Sequence, residues 1–170
     1  MSDDVTPPDG DLPDGFTVPD DLSSLTGTPD AVTVAIVVTQ VAAAEPLAAA
    51  CSLATVEVDV VQSPVGALAV LRDPTAGAAG AAAISQLLKA VPVVLLERRT
   101  EKITATRWAN GVRGDDLPPG LVLSDAPAVL EDLLLAGVSV GDLDGVVSSV
   151  GMSRWKAMRV LASSARARRD

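Results

Sequence analysis

From residue 32 onward, short β-branched runs alternate with stretches of small helix-forming residues, and the two patterns have different periods. "VTVAIVVT" (32–39) is nearly continuous in apolar residues, as expected of a strand buried on both faces. "AEPLAAACSLA" (44–54) is rich in helix formers, with Pro46 tolerable in a first turn. In "VEVDVVQ" (56–62), Val56, Val58 and Val60 alternate with Glu57 and Asp59, which predicts a strand with one solvated face. The turn "SPVG" (63–66) leads into a strand "ALAVL" (67–71). A helix follows over 73–90, with Asp73 as N-cap and Pro74 at its first position. "PVVLLER" (92–98) and "KITATRW" (102–108) read as two strands joined through "RTE".

This order contains two βαβ-like halves, about 32–62 and 66–97. It predicts an α+β fold with a ferredoxin-like (split βαβ) sheet of four or five strands and two helices on one face. An all-parallel sheet is disfavoured, because residues 62–66 are too few for the crossover helix that parallel neighbours need. Farther along, "GVRGDDLPPG" (111–120) reads as a loop, "LVLS" (121–124) as a short strand, and 125–137 as a helix capped by Asp125 and stopped by Gly137. A C-terminal helical extension completes the chain, with one helix in 140–150 and another in 153–167 around Gly151.

Three segments follow from this pattern. Residues 1–31 hold eight Asp, five Pro and three Gly without one Lys or Arg, which predicts a disordered acidic arm. Within it, "FTVPDDLSSL" (16–25) is the one stretch suited to docking on a partner or on the domain itself. Residues 32–123 form the expected α+β domain, and 124–170 a helical region with a basic tail.

Composition sharpens the picture. The 170 residues are 48% hydrophobic, but mostly Ala and Val, with one Phe and no Tyr. Stability must therefore come from close backbone packing rather than aromatic bulk. No apolar run reaches the ~20 residues of a membrane span, and "MSDDVTPPDGDLPDG" lacks the basic and apolar regions of a secretory signal. A cytoplasmic location follows by default, with no membrane partner. The net charge of −9 divides into −8 over 1–31, −6 over 32–150 and +5 over 151–170. The two ends are oppositely charged.

Several chemistries lack their residues. The chain has no histidine, which removes the commonest general base and zinc ligand. Gly77 and Gly80 in "TAGAAGAAA" miss the spacing of phosphate-binding loops and read as close helix packing. Asp142 and Asp144 resemble part of a calcium loop, but the twelfth position is Ser153. Asp115 and Asp116 are adjacent in a loop without a second carboxylate cluster. Cys51 sits among alanines with no base beside it. No catalytic residue, cofactor site or metal site is predicted.

The tail carries the sharpest signal. A helix over 143–150, a turn at Gly151 and a second helix capped by Ser153 look like a helix-turn-helix pair (142–162), with Val146, Val150, Met152, Ala157, Val160 and Leu161 as its core positions. Arg154, Lys156 and Arg159 would then face phosphates or base edges, supported by Arg166, Arg168 and Arg169. Against this, Trp155, Met158, Leu161, Ala162 and Ala165 form a stripe at helical spacing, the pattern of a core or partner surface. The leading expectation is a non-catalytic interaction or regulatory module that binds a protein partner or itself. Self-association would use a sheet edge, a sheet face or the tail helix. The alternative is a transcriptional regulator that reads duplex DNA. An enzyme using Asp115, Asp116 or Lys102 ranks third.

Overall fold

The computed structural model describes residues 31–167 apart from Ala90 and Glu101. Nearly all of the expected acidic arm, together with Arg168 and Arg169, lies outside these residues. The elements are β1 (Val32–Val38), α1 (Ala44–Leu53), β2 (Val58–Val61), β3 (Leu68–Leu71), α2 (Gly77–Leu88), β4 (Val93–Arg99) and β5 (Lys102–Ala109). They continue with β6 (Val112–Leu117), α3 (Pro119–Ser124), α4 (Ala128–Leu134), β7 (Val147–Ser148) and α5 (Arg154–Ala167). All seven strands join one sheet in the order β6-β5-β4-β1-β3-β2-β7, and every neighbouring pair is antiparallel.

β1 lies at the centre because both of its faces are apolar. Ala35 and Val37 pack with Leu47, Cys51 and Ile84 beneath α1 and α2, while Ile36 packs on the opposite side with Leu96, Leu130 and Leu134. Helices therefore cover both faces: α1 and α2 one, α3 and α4 the other.

The ferredoxin-like (split βαβ) expectation, with two helices on one face, is corrected by this arrangement. The sheet has seven strands and two covered faces. Three local misreadings explain the difference. The stretch expected as a loop after residue 110 is β6, returned from β5 by a turn in which Asn110 and Gly111 take φ of +51° and +81°. "LVLS" lies in α3, begun by Pro119 with Pro118 as N-cap, rather than in a strand. The helix expected over 143–150 is replaced by a 3-10 turn at Val140–Asp142 and by β7, which pairs Val147 with Val60 and Ser148 with Asp59. No helix among the described residues is long and apolar enough to cross a membrane.

Two sequence features act as expected. The Asp73 carboxylate accepts hydrogen bonds from the Thr75 amide at 2.9 Å and the Thr75 hydroxyl at 2.6 Å, starting the turn that leads into α2. These bonds hold Asp73 below the usual carboxylate range. Gly77 and Gly80 let α2 lie against the sheet. A Cβ at the first would meet the Glu97 carboxylate, and one at the second the Leu71 side chain.

The β2–β3 turn is equally tight. Gly66 has φ +127°, and a Cβ there would strike the Thr39 carbonyl. Gly66→Ala is expected to lower stability by about 2–3 kcal/mol in urea denaturation, because backbone on both sides must move. Cys51 is fully buried, and that burial pushes its thiol up to about 12. The native thiol should therefore resist alkylation at pH 8 while the unfolded chain reacts readily. Because the folded value lies above the unfolded one, stability should hold below about pH 9 and fall as pH rises toward 12.

Candidate functional site

The C-terminal chain returns to the sheet through β7 and is fastened there by the serine that follows it. The buried Ser149 hydroxyl accepts from the Val58 amide at 2.9 Å and donates to the Val56 carbonyl at 2.8 Å, while its own amide donates to the Val58 carbonyl at 2.9 Å. Gly151 then reverses the chain with φ +76°. The Ser52 hydroxyl at the end of α1 donates to the Met152 carbonyl at 3.2 Å. Ser153 caps the new helix, accepting from the Lys156 amide at 3.2 Å.

α5 packs on α1 through Ala157, Val160, Leu161 and Ser164, one face at i, i+3, i+4, i+7 spacing. Ala157, Val160 and Leu161 are three of the core positions expected for the helix pair, and the rival stripe shares only Leu161 with this face. The opposite face carries Trp155 at 81% exposure and Met158 at 60%, with Arg159 and Arg166 alongside. A shallow hollow of about 230 Å³ lies among Arg154, Trp155 and Met158. The contrast with Trp108, at 8% exposure, is sharp in a chain that has only two tryptophans.

Electrostatics single out the same helix. α5 has no acidic residue in its first turn, and Arg154 and Lys156 stand there instead, followed by Arg159. Cations at a helix N-terminus oppose the macrodipole, at a cost of about 0.3–1 kcal/mol each when exposed. The arrangement concentrates positive potential beside an uncovered indole. Of the seven residues the sequence pointed to, Arg154, Trp155, Lys156, Arg159 and Arg166 are exposed on this helix, and Arg168 and Arg169 lie beyond the described residues. Met158, part of the stripe expected as a core or a partner surface, is exposed beside Trp155. The helix-turn-helix geometry is absent, because β7 occupies the place of its first helix.

A second concavity, an open groove of about 550 Å³, runs over β4, β5 and β6. Strand pairing brings Lys102 and Asp116 into it together with Glu97, Arg99 and Arg113. Asp116 accepts from Arg113 Nη2 at 2.8 Å and from the Thr106 hydroxyl at 3.1 Å, and Arg99 lies 3.7 Å from Glu97. Asp115, next to Asp116 on β6, projects from the other face of the strand, so the two carboxylates do not converge. Among the described residues, no three of His, Cys, Asp and Glu gather as a metal site. A third cleft of about 380 Å³, between the α1–β2 connection and α2, is walled by Val56, Leu71 and Gly80 with Glu57 and Asp73.

No protein family, no curated protein and no solved structure matches this chain. The surface must be read from its own chemistry.

If Ser149 is what locks α5 in place, Ser149→Ala should cost about 1–3 kcal/mol by stranding the Val58 amide and the Val56 carbonyl. Amide exchange across Arg154–Ala167 should rise with it. Unchanged exchange in α5 would mean that the α1 contact alone holds the helix.

Proposed function

We propose that this protein is a non-catalytic interaction module of the cytoplasm that uses the outward face of α5 to bind an acidic partner carrying apolar anchors. The 81% exposure of Trp155 carries this reading. Covering Trp155 and Met158 would release on the order of 5 kcal/mol before association costs. The surrounding cations favour anionic contacts at the rim. The single cysteine, a buried free thiol, fits a reducing compartment.

The other surfaces serve association less well. β6, an edge strand, presents Arg113, Gly114, Asp115 and Asp116 to solvent, and charges on an edge oppose strand addition. β7 is only two residues long. Two copies meeting through α5 would set cation against cation, since its described residues include four basic and no acidic side chains. The DNA reading keeps the basic residues but loses its positioning helix, and phosphate contacts leave Trp155 and Met158 without a role.

Fluorescence anisotropy at near-physiological salt separates the readings. The probes are a short peptide of Asp and Glu interleaved with Phe and Leu, a polyaspartate of equal charge, and a short duplex DNA. The mixed peptide should bind best. Trp155→Ala/Met158→Ala should weaken it by about tenfold or more, and Arg154→Ala/Lys156→Ala/Arg159→Ala should weaken it while flattening its salt dependence. Preference for the duplex would restore the DNA reading, and binding indifferent to both variants would remove α5 as the site.

A further inference from the structure

We infer that residues 16–25, "FTVPDDLSSL", are a ligand for α5 in cis, competing there with the acidic partner. The inference rests on α5 being the docking surface and names what occupies it when no partner is bound.

The topology supplies the first argument. β1 and β2 are both antiparallel to β3 and therefore run parallel to each other. Val58 begins β2 and is bonded to Ser149, and Ser52 near the end of α1 is bonded to Met152. The connection from β7 to α5 thus sits at the end of the sheet where β1 begins. Val32, at the start of β1, and Met152, just before α5, pack against the same core cluster. The chain therefore enters the fold at the same end of the sheet as the start of α5 and on the same side.

Reach is the second argument. Leu25 precedes Val32 by seven residues and Phe16 by sixteen. Extended chain covers roughly 25 Å and 55 Å over these lengths, enough to lay the segment along a helix that starts at the same end. Tethering gives it an effective concentration on the order of millimolar, so weak affinity suffices.

Complementarity is the third. Residues 1–30 hold eight Asp and no Lys or Arg, facing the basic α5. Asp20 and Asp21 are flanked by Phe16, Val18, Leu22 and Leu25, an acidic pair between apolar anchors. Phe16 and Trp155 are two of the chain's three aromatic residues, and the third, Trp108, is buried in the core. The apolar cleft near the same end of the sheet is a poorer seat, because Glu57 and Asp73 repel an acidic segment.

The test compares full-length chains by acrylamide quenching of tryptophan, with Trp155→Phe identifying the exposed emitter. Phe16→Ala/Leu22→Ala/Leu25→Ala should raise Trp155 quenching about twofold and tighten the mixed acidic peptide by about five- to tenfold. Asp20→Lys/Asp21→Lys should do the same, and combining it with Arg154→Glu/Arg159→Glu should restore protection. Quenching unchanged by both segment variants would overturn the cis contact, as would protection that grows with protein concentration, which marks a contact between copies. If the segment variants change nothing while peptide binding still depends on Trp155, the docking surface stands and only the cis ligand falls. If the peptide binds no variant, the partner reading falls, and quenching alone decides the cis contact.

Discussion

The helices lie on this sheet at the distance set by alanine and glycine, and much of the remaining architecture follows from that closeness. α1 meets the sheet through Leu47, Ala48 and Cys51, and α2 through Gly77, Gly80, Ala81 and Ile84. With so little side-chain volume between layers, dispersion contacts depend on backbone proximity, and one added carbon is felt at once. The same closeness governs α5. It meets α1 through the fully buried Ala157, with Val160, Leu161 and Ser164 half-buried beside it. Of the two apolar stripes available on α5, the one with small residues packs inward and the one with Trp155 and Met158 is left outside.

Charge is arranged around this body with similar economy. Arg72 makes a two-pronged contact to Asp59 at 3.0 Å for each bond and reaches Ser148 at 3.1 Å, tying β2, β3 and β7 together. The Asp59 carboxylate raises the already high Arg72 value further. The β6 edge and the groove beside it carry mixed charges that neutralise one another locally. α5 does not follow this rule, since its cations have no acidic neighbours on their own helix. Among the described residues no ion pair offsets these cations, and local rules broken in this way are expected at functional or strained sites.

Much of this was legible in the residues. The β-branched run at 32–39 could only be a strand buried on both faces, and Asp73-Pro74 could hardly be other than a helix start. Gly77 and Gly80 were readable as packing because the flanking residues of a phosphate loop were missing. The hairpin to β6 was also legible, for Asn110-Gly111 is a strong two-residue turn signal, but the charged run after it resembled loop. Residues 140–150 misled for a physical reason. Val146, Val147 and Val150 fit the i, i+1, i+4 spacing of a helix face, and only the pairing of Val147 with Val60 makes this stretch a strand. The α5 residues were identifiable from charge and aromatic content. The inward positions Ala157, Val160 and Leu161 were legible as the core of a helix pair, but Trp155 and Met158 share the helical period, so the sequence pattern alone offered two stripes.

The proposed cis contact can be bounded by magnitude. At an effective concentration on the order of millimolar, a segment whose intrinsic Kd is also millimolar covers α5 about half the time and weakens a partner only about twofold. Holding the surface tenfold closed needs an intrinsic Kd near 100 μM, about 5–6 kcal/mol. One aromatic anchor and two or three aliphatic ones, seated on a basic face, supply interaction energy of that order once ordering costs are subtracted. A partner presenting the same chemistry over a larger area exceeds it readily. The segment would therefore act as an affinity threshold. It would exclude weak acidic ligands, admit those with apolar anchors of their own, and lose force as salt screens the aspartates.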